Sequence, residues 1–296
     1  ADSGSSIGLA FVEPDCRDLV RRLSARADVV PLNAFGEVVN GYVSGANNFF
    51  HCTAAEGEQR RLPPDWLLPV ARNSRSLTGL GFDADDIATA ERGGAAHHLI
   101  LPRDDDLFSA DHAALDGFKR DGERLGIPLR YKCRVRNPWW RVPGLIRAEL
   151  LLPYMIGAEP HVAVNRCYAL YPNSLHGLRL RNPALADRIA LGLLTSLSLL
   201  SMELEGRSYG GGVLKLEPTE MQRVRLVLPT AGEAELRESF DDADRLIRQG
   251  DFCAAVAVAN DLVLSRQLRM PPADIKRVQV GRAALVDRRL TRSRRS

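Results

Sequence analysis

Residues 137–140, Asn137-Pro138-Trp139-Trp140, are of the types that can hold the exocyclic amino group of a base flipped out of a duplex. In that chemistry an asparagine amide and a proline carbonyl accept hydrogen bonds from the amino group, and an aromatic ring stacks on the base. Trp139 stands where a second proline is wanted. Transfer of a methyl group would also call for a glycine-rich turn after a first strand to hold S-adenosylmethionine, with an acidic residue ending the following strand. The nearest candidate, Gly79-Leu80-Gly81, runs into Asp83, Asp85 and Asp86, which read as a solvated acidic loop and not as a helix. These departures weigh against a catalytic role for the tetrapeptide, and no catalytic residue is assigned.

The cations around it suit another task. Lys132, Arg134, Arg136 and Arg141 can supply charge to phosphates, and Trp139 and Trp140 offer flat faces to sugars or bases. If residues 130–136 form a strand, Arg130, Lys132, Arg134 and Arg136 project from one face. Two tryptophans in a core beneath a solvated arginine face would satisfy the same residue types.

GRSYGGGVLKLEP (206–218) lacks the Lys-Ser or Lys-Thr of a phosphate-cradling loop. Its consecutive glycines permit a sharp turn or a close approach, with Arg207, Tyr209 and Lys215 placed to meet an anion; a purely structural turn is the alternative. GYVSGANNFFHCT (41–53) sets Ser44, Asn47 and Asn48 in a glycine-flanked turn. Such asparagines cap their own backbone or read adenine edges; Phe49 and Phe50 read as core. The histidines lack partners at metal-ligand spacing, and the run at 104–106 lacks the glycine and distal glutamate of a calcium loop. No metal ligand is assigned, and no Gly-x-Ser-x-Gly elbow supports hydrolysis.

The elements that must carry these residues are mixed. Residues 14–27 have amphipathic helical spacing, with Leu19, Val20 and Leu23 on one side. Short strands are expected in 28–45, at 97–102, around LIRAELLLPYMI and HVAVNRCYALYP, and in GGGVLKLEP and VRLVLP. Between them lie a helix ending at Gly126 and one long helix over 183–205 that starts from Asn182-Pro183. From Glu233 the pattern is helical, broken at Gly250 and Pro271-Pro272, which predicts a hairpin plus one more helix. The expectation is an α+β fold, a mixed or antiparallel sheet with flanking helices, divided into residues 1–232 and a helical segment 233–296 with a basic tail.

Composition narrows the function. Hydrophobic content of 45% and charged content of 26% are those of a globular chain. The net charge of +3 is too small to announce a polyanion partner, but acid is concentrated in 83–123 and base in 130–147 and the tail. Five scattered cysteines without a Cys-x-x-Cys pair point to free thiols in the cytoplasm and away from a zinc cluster. LADRIALGLLTSLSLLSMEL (185–204) is interrupted by Asp187 and Arg188 and reads as a buried helix and not a membrane span.

Three stretches in fixed order, GYVSGANNFF, YKCRVRNPWWRVP and LLTSLSLLSMELEGRSYGGGVLKLEP, resemble the target-recognition region of Taq-like and Eco57-like DNA adenine methyltransferases of restriction-modification systems. The resemblance spans roughly residues 8–230, and the helical tail is similar to what often follows. Ser44 departs from the family's usual threonine, and Thr195-Ser196 from its Asn-Ser. The resemblance implies a module that binds double-stranded DNA through Asn47, Lys132, Arg134, Arg136, Trp139, Trp140, Arg141, Arg207, Tyr209 and Lys215. It further implies that S-adenosylmethionine binds to an N-terminal methyltransferase domain of the parent enzyme and not to this chain. The competing expectation is a protein-interaction module of a defence complex.

Overall fold

The computed structural model describes residues 10–103 and 112–293; residues 1–6, the acidic run 104–106 and Arg294 and Arg295 of the tail lie outside the described residues. The fold is α+β, built on a five-stranded sheet in the order Gly36–Asn40, Leu175–Leu180, Leu150–Pro153, Ala163–Asn165, Gly81–Phe82. Its pairings are antiparallel except the last, which is parallel. Side chains alternate across this sheet. Val38, Leu150, Leu152, Val164 and Leu178 enter one apolar cluster, and Leu151, Ala163, Leu175 and Phe82 enter another on the opposite face. Burial on both faces explains why Leu150-Leu151-Leu152 reads as a continuous apolar run where a half-exposed strand would alternate.

Smaller sheets surround it. Val29–Pro31 pairs with Arg225–Val227; His98–Ile100 lies between His51–Cys52 and Leu67–Pro69; Val213–Lys215 lies between Arg207–Tyr209 and Met155–Ile156. The amphipathic helix Pro14–Ser24 buries Cys16, Leu19, Val20 and Leu23, as its spacing predicts. The tail forms Glu233–Arg248, then Phe252–Ala259 running on into a π-helical stretch Asn260–Gln267, then Pro272–Ser293. Leu236, Phe240, Ala243, Phe252 and Ala255 of this tail belong to the same cluster as Leu150 and Leu178. The position 232/233 lies in the loop between Arg225–Val227 and Glu233–Arg248.

The long helix expected over 183–205 is instead two helices, Ala186–Leu194 and Ser196–Glu205, bent by 78° at Thr195. Polar groups in an apolar run make this break. Thr195 turns extended and caps the second helix through Ser198 N, and Oγ1 of Thr195 and Oγ of Ser198 both donate to Gly192 O. Asn260 closes the corner by accepting from Ser196 N and donating to Ser196 Oγ, each at 2.8 Å. Among the described residues no single helix is long and apolar enough to cross a membrane. Ser201 adds a bond to Arg225 N, so each of these buried polar groups has a partner, as burial demands.

The acidic run 83–86 is also not a loose turn. Asp83 and Asp86 form a capping box for the helix Ala84–Arg92, and buried Asp86 pairs with Arg248 at 2.5 Å. Burial alone would raise the Asp86 carboxyl, yet its bonds to Arg248, Asp83 and Thr78 hold it below the ordinary carboxylate range. Arg248 and Asp244 also bond Gly81 O and N, which ties the tail to the edge strand of the central sheet.

Arg289, on the last helix, is buried against Glu203 at 2.8 Å and donates to the carbonyls of Gly212 and Gly157. Removing one member of a buried pair leaves an uncompensated charge, at about 3–5 kcal/mol. Arg289→Met is therefore expected to lower stability in urea unfolding by about that amount, and the double variant with Glu203→Gln to recover a large part of it.

Candidate nucleic-acid interface

The connections that carry the motif residues leave the central sheet at one end. Gly36–Asn40 finishes at Asn40, paired with His176, and Leu150–Pro153 finishes at Pro153, paired with Leu175. The stretch 41–53 departs from the first strand, and residues 154–156 from the second, where Met155–Ile156 pairs with Val213–Lys215. His176 Nε2, 2.9 Å from Leu216 O, pins that hairpin to the sheet. The stretch 41–53 thus leaves the sheet at this end, and the hairpin of 206–215 pairs with a strand that does so too.

The stretch 130–141 is held there by the stretch 41–53. Arg136 donates from Nη1 to Ser44 O at 2.7 Å and from Nη2 to Val43 O at 2.5 Å, and burial lowers its pKa. Gly45 has φ of 85° and lies so close to Lys132 that an added Cβ would stand 2.8 Å from the lysine Cβ. Ser44 Oγ donates to Asn47 Oδ1 and accepts from Ala46 N. Asn47 is exposed at the start of the short helix Asn47–Phe50.

Residues 130–136 do not form the expected strand. They follow a 3-10 turn, Ile127–Leu129, with a helical turn, Tyr131–Arg134. In a strand Cys133 and Val135 would share a face. Here Cys133 is fully buried, where burial raises its thiol pKa, and Val135 is 64% exposed. The cations consequently do not share a face either. Arg136 points into the molecule; Arg130, Lys132 and Arg134 are exposed and make no ion pair among the described residues.

Both indoles are half-buried parts of an aromatic cluster. Trp139 stacks on Phe118, centroids 6.2 Å apart and planes 9° from parallel, and Trp140 meets Trp139 edge-on at 5.7 Å. Gly122 is required beneath them, since a Cβ there would lie 2.2 Å from the Trp139 ring. Lys119 covers Trp140, with Nζ 5.3 Å from the ring centre. Of the two sequence readings, packing describes Trp139, whose face is already occupied.

In the glycine hairpin, Gly211 and Gly212 have φ of 74° and 72°, and Tyr209 is exposed at its tip. Arg207, expected to meet phosphate, pairs with buried Glu220; Lys215 pairs with Glu217 at 2.7 Å, and that bond raises the lysine pKa. The pairs differ in consequence. Lys215 and Glu217 are both partly exposed, so opening that pair buries no lone charge, whereas moving Arg207 would strand a buried carboxylate. Arg141 is exposed at the end of the second stretch.

S-adenosylmethionine does not fit the glycines at 79–81. A helix does follow them, contrary to the sequence reading, but they precede the strand Gly81–Phe82, and a Cβ at Gly79 would meet Asp244 and Arg248. The adjacent cleft, about 720 Å³, is lined by Arg72, Asp83, Asp86, His97, Asp244 and Arg248, and among the described residues no Phe, Tyr or Trp lines it. Sequence reasoning also missed Leu129, Tyr131 and Val135, all strongly exposed; spacing of 131 and 135 by one helical turn was the available signal.

Comparison with known proteins places these features. Residues 8–264 match the family described as type II methyltransferase M.Eco57I, C-terminal domain. The chain is 29% identical over 204 residues to type II methyltransferase M.XamI of Xanthomonas campestris pv. amaranthicola, covering 68% of this chain and 37% of that protein. It is 20% identical over 204 residues to type II methyltransferase M.AccI of Acinetobacter calcoaceticus, covering 66% and 36%. The fold is shared with the type IIG restriction endonuclease BpuSI, at TM-score 0.65 and 12% identity over 94% of this chain and 33% of that one. The type IIL restriction-modification enzyme MmeI, solved in complex with DNA, aligns at TM-score 0.50 and 11% identity over 88% of this chain and 36% of that one. The chain thus spans about a third of the length of these relatives.

Two measurements check the site's architecture. Arg136→Met removes two charge-assisted bonds and is expected to lower unfolding stability by about 2 kcal/mol, with faster hydrogen exchange in residues 41–50. The second concerns His51, whose ring Nε2 lies 2.7 Å from the Tyr42 hydroxyl and whose pKa is pushed down to about 4 by burial, Arg72 and His97. An unfolded histidine titrates near 6.5, so the stability this group contributes is complete above about pH 6.5 and is lost as pH falls towards 4. The thermal midpoint is expected to drop across that window, and His51→Gln to reduce the drop.

Proposed function

The chain belongs to the family of type II methyltransferase M.Eco57I C-terminal domains, and on that premise we propose that it recognises duplex DNA for an S-adenosylmethionine-dependent, adenine-specific methyltransferase. The observation that carries this reading is the gathering of three motif stretches at one end of the central sheet, with Arg130, Lys132 and Arg134 exposed and without an ion pair among the described residues. Unpaired cations on a rigid support release counterions when they meet phosphates, and that release gives affinity and its salt dependence.

Roles then divide by what each group already touches. Arg130, Lys132, Arg134 and Arg141 contact phosphates, and Lys215 joins them by leaving Glu217. Asn47 and Tyr209, exposed at the two flanking stretches, reach base edges or stack. Arg136, Arg207, Trp139 and Trp140 hold the surface in shape. Methyl transfer and S-adenosylmethionine belong to a separate catalytic domain of the parent enzyme, which acts on DNA in the cytoplasm. The unpaired cysteines, three of them buried, suit that reducing compartment.

Titration of duplex binding against salt tests this. The logarithm of the binding constant is expected to fall linearly with the logarithm of salt concentration, by about 0.9 per phosphate neutralised. Replacing Arg130, Lys132 and Arg134 together by glutamine should lower that slope by about two to three. Undetectable binding to any duplex at low salt would remove the proposal and assign this surface to a protein partner.

A further inference from the structure

The helical turn Tyr131–Arg134 presents more than charge. With 3.6 residues per turn, Tyr131 and Val135 fall on the side opposite buried Cys133; Arg134 lies on one flank, Lys132 and Arg136 on the other. Exposure follows this arrangement: Tyr131 is 66% exposed, Val135 64%, and Leu129, two residues before the turn, 78%. One exposed apolar side chain is ordinary. Three within seven residues, on a ridge whose inner side is anchored by Cys133 and Arg136 and whose neighbouring cations lack ion-pair partners, form a built feature.

We propose that this ridge is a wedge for duplex DNA, in which Tyr131 and Val135 press between neighbouring base pairs while Arg130 and Arg134 on one side and Lys132 on the other hold phosphates. The inference rests on the reading of the chain as a duplex-DNA binder. Charge decides the occupant: a polyanion with apolar base faces between two phosphate walls matches an apolar crest between two cationic flanks. Geometry limits the mode of entry. A helical turn is about 10–12 Å across with its side chains and the minor groove about 6 Å wide, so side-chain tips enter and the backbone stays outside. Inserted apolar side chains of this kind unstack a base step and kink or unwind the helix. The support is rigid, because Arg136 is bonded to Val43 and Ser44 and Lys132 abuts Gly45.

Unwinding of closed circular plasmid in the presence of a topoisomerase reads this without knowledge of a recognition sequence. The full chain is expected to lower the linking number in proportion to the protein bound. The double variant Tyr131→Ser/Val135→Ser, altered only at exposed positions, is expected to fold, to keep the salt slope of binding and to lose the linking-number change by about threefold or more. Replacement of Arg130, Lys132 and Arg134 by glutamine should instead lower the salt slope. If the double variant unwinds plasmid as fully as the unaltered chain, or if the unaltered chain binds without unwinding, the wedge is refuted and DNA binding stands. If the unaltered chain does not bind plasmid at low salt, both readings are withdrawn.

Discussion

The guanidinium of Arg136 holds together two segments more than ninety residues apart by donating to the carbonyls of Val43 and Ser44. Backbone carbonyls in a turn have no ladder to pair with, and a planar cation with several donors satisfies two of them at once. The cost is desolvation, visible in the lowered pKa of the arginine. What this contact sets is rotation. Once residue 136 points inward beside Cys133, a helical turn has no freedom left over which side chains face water.

The other cations show why residue type and role diverge. An arginine beside a buried carboxylate is part of the scaffold however exposed its tip, and Arg207 against Glu220 is such a case. The hairpin it braces is seated from behind by Arg289, which reaches Gly212 and Gly157 while pairing with Glu203. The hairpin is therefore fixed by buried charge, while the exposed charge of Arg130, Lys132 and Arg134 makes no ion pair among the described residues. A surface organised this way separates the groups that give shape from those that give affinity.

Aromatic residues follow the same separation. Trp139, Phe118, Phe49 and Phe50 fill the space beneath the surface, while Tyr131 and Tyr209 stay exposed on two of the motif-bearing stretches. The break at Thr195 is a further instance: a polar pair inside an apolar run became a corner once Asn260 of the tail was there to bond it.

Sequence by itself determined the class of fold, the amphipathic first helix, the helical tail and the resemblance carried by GRSYGGGVLKLEP, because those depend on local periodicity and on residues adjacent in the chain. It also placed Phe49 and Phe50 in the core. Tertiary structure alone decided that 130–136 coils, that the helix over 183–205 bends, that Asp86 is buried against Arg248, and which arginines stay without an ion pair. Each of these turns on a partner far along the chain: Ser44 for Arg136, Asn260 for Ser196, Arg248 for Asp86, Glu220 for Arg207. A charged or polar side chain takes its role from the group that satisfies it, and that group is not written in its neighbours.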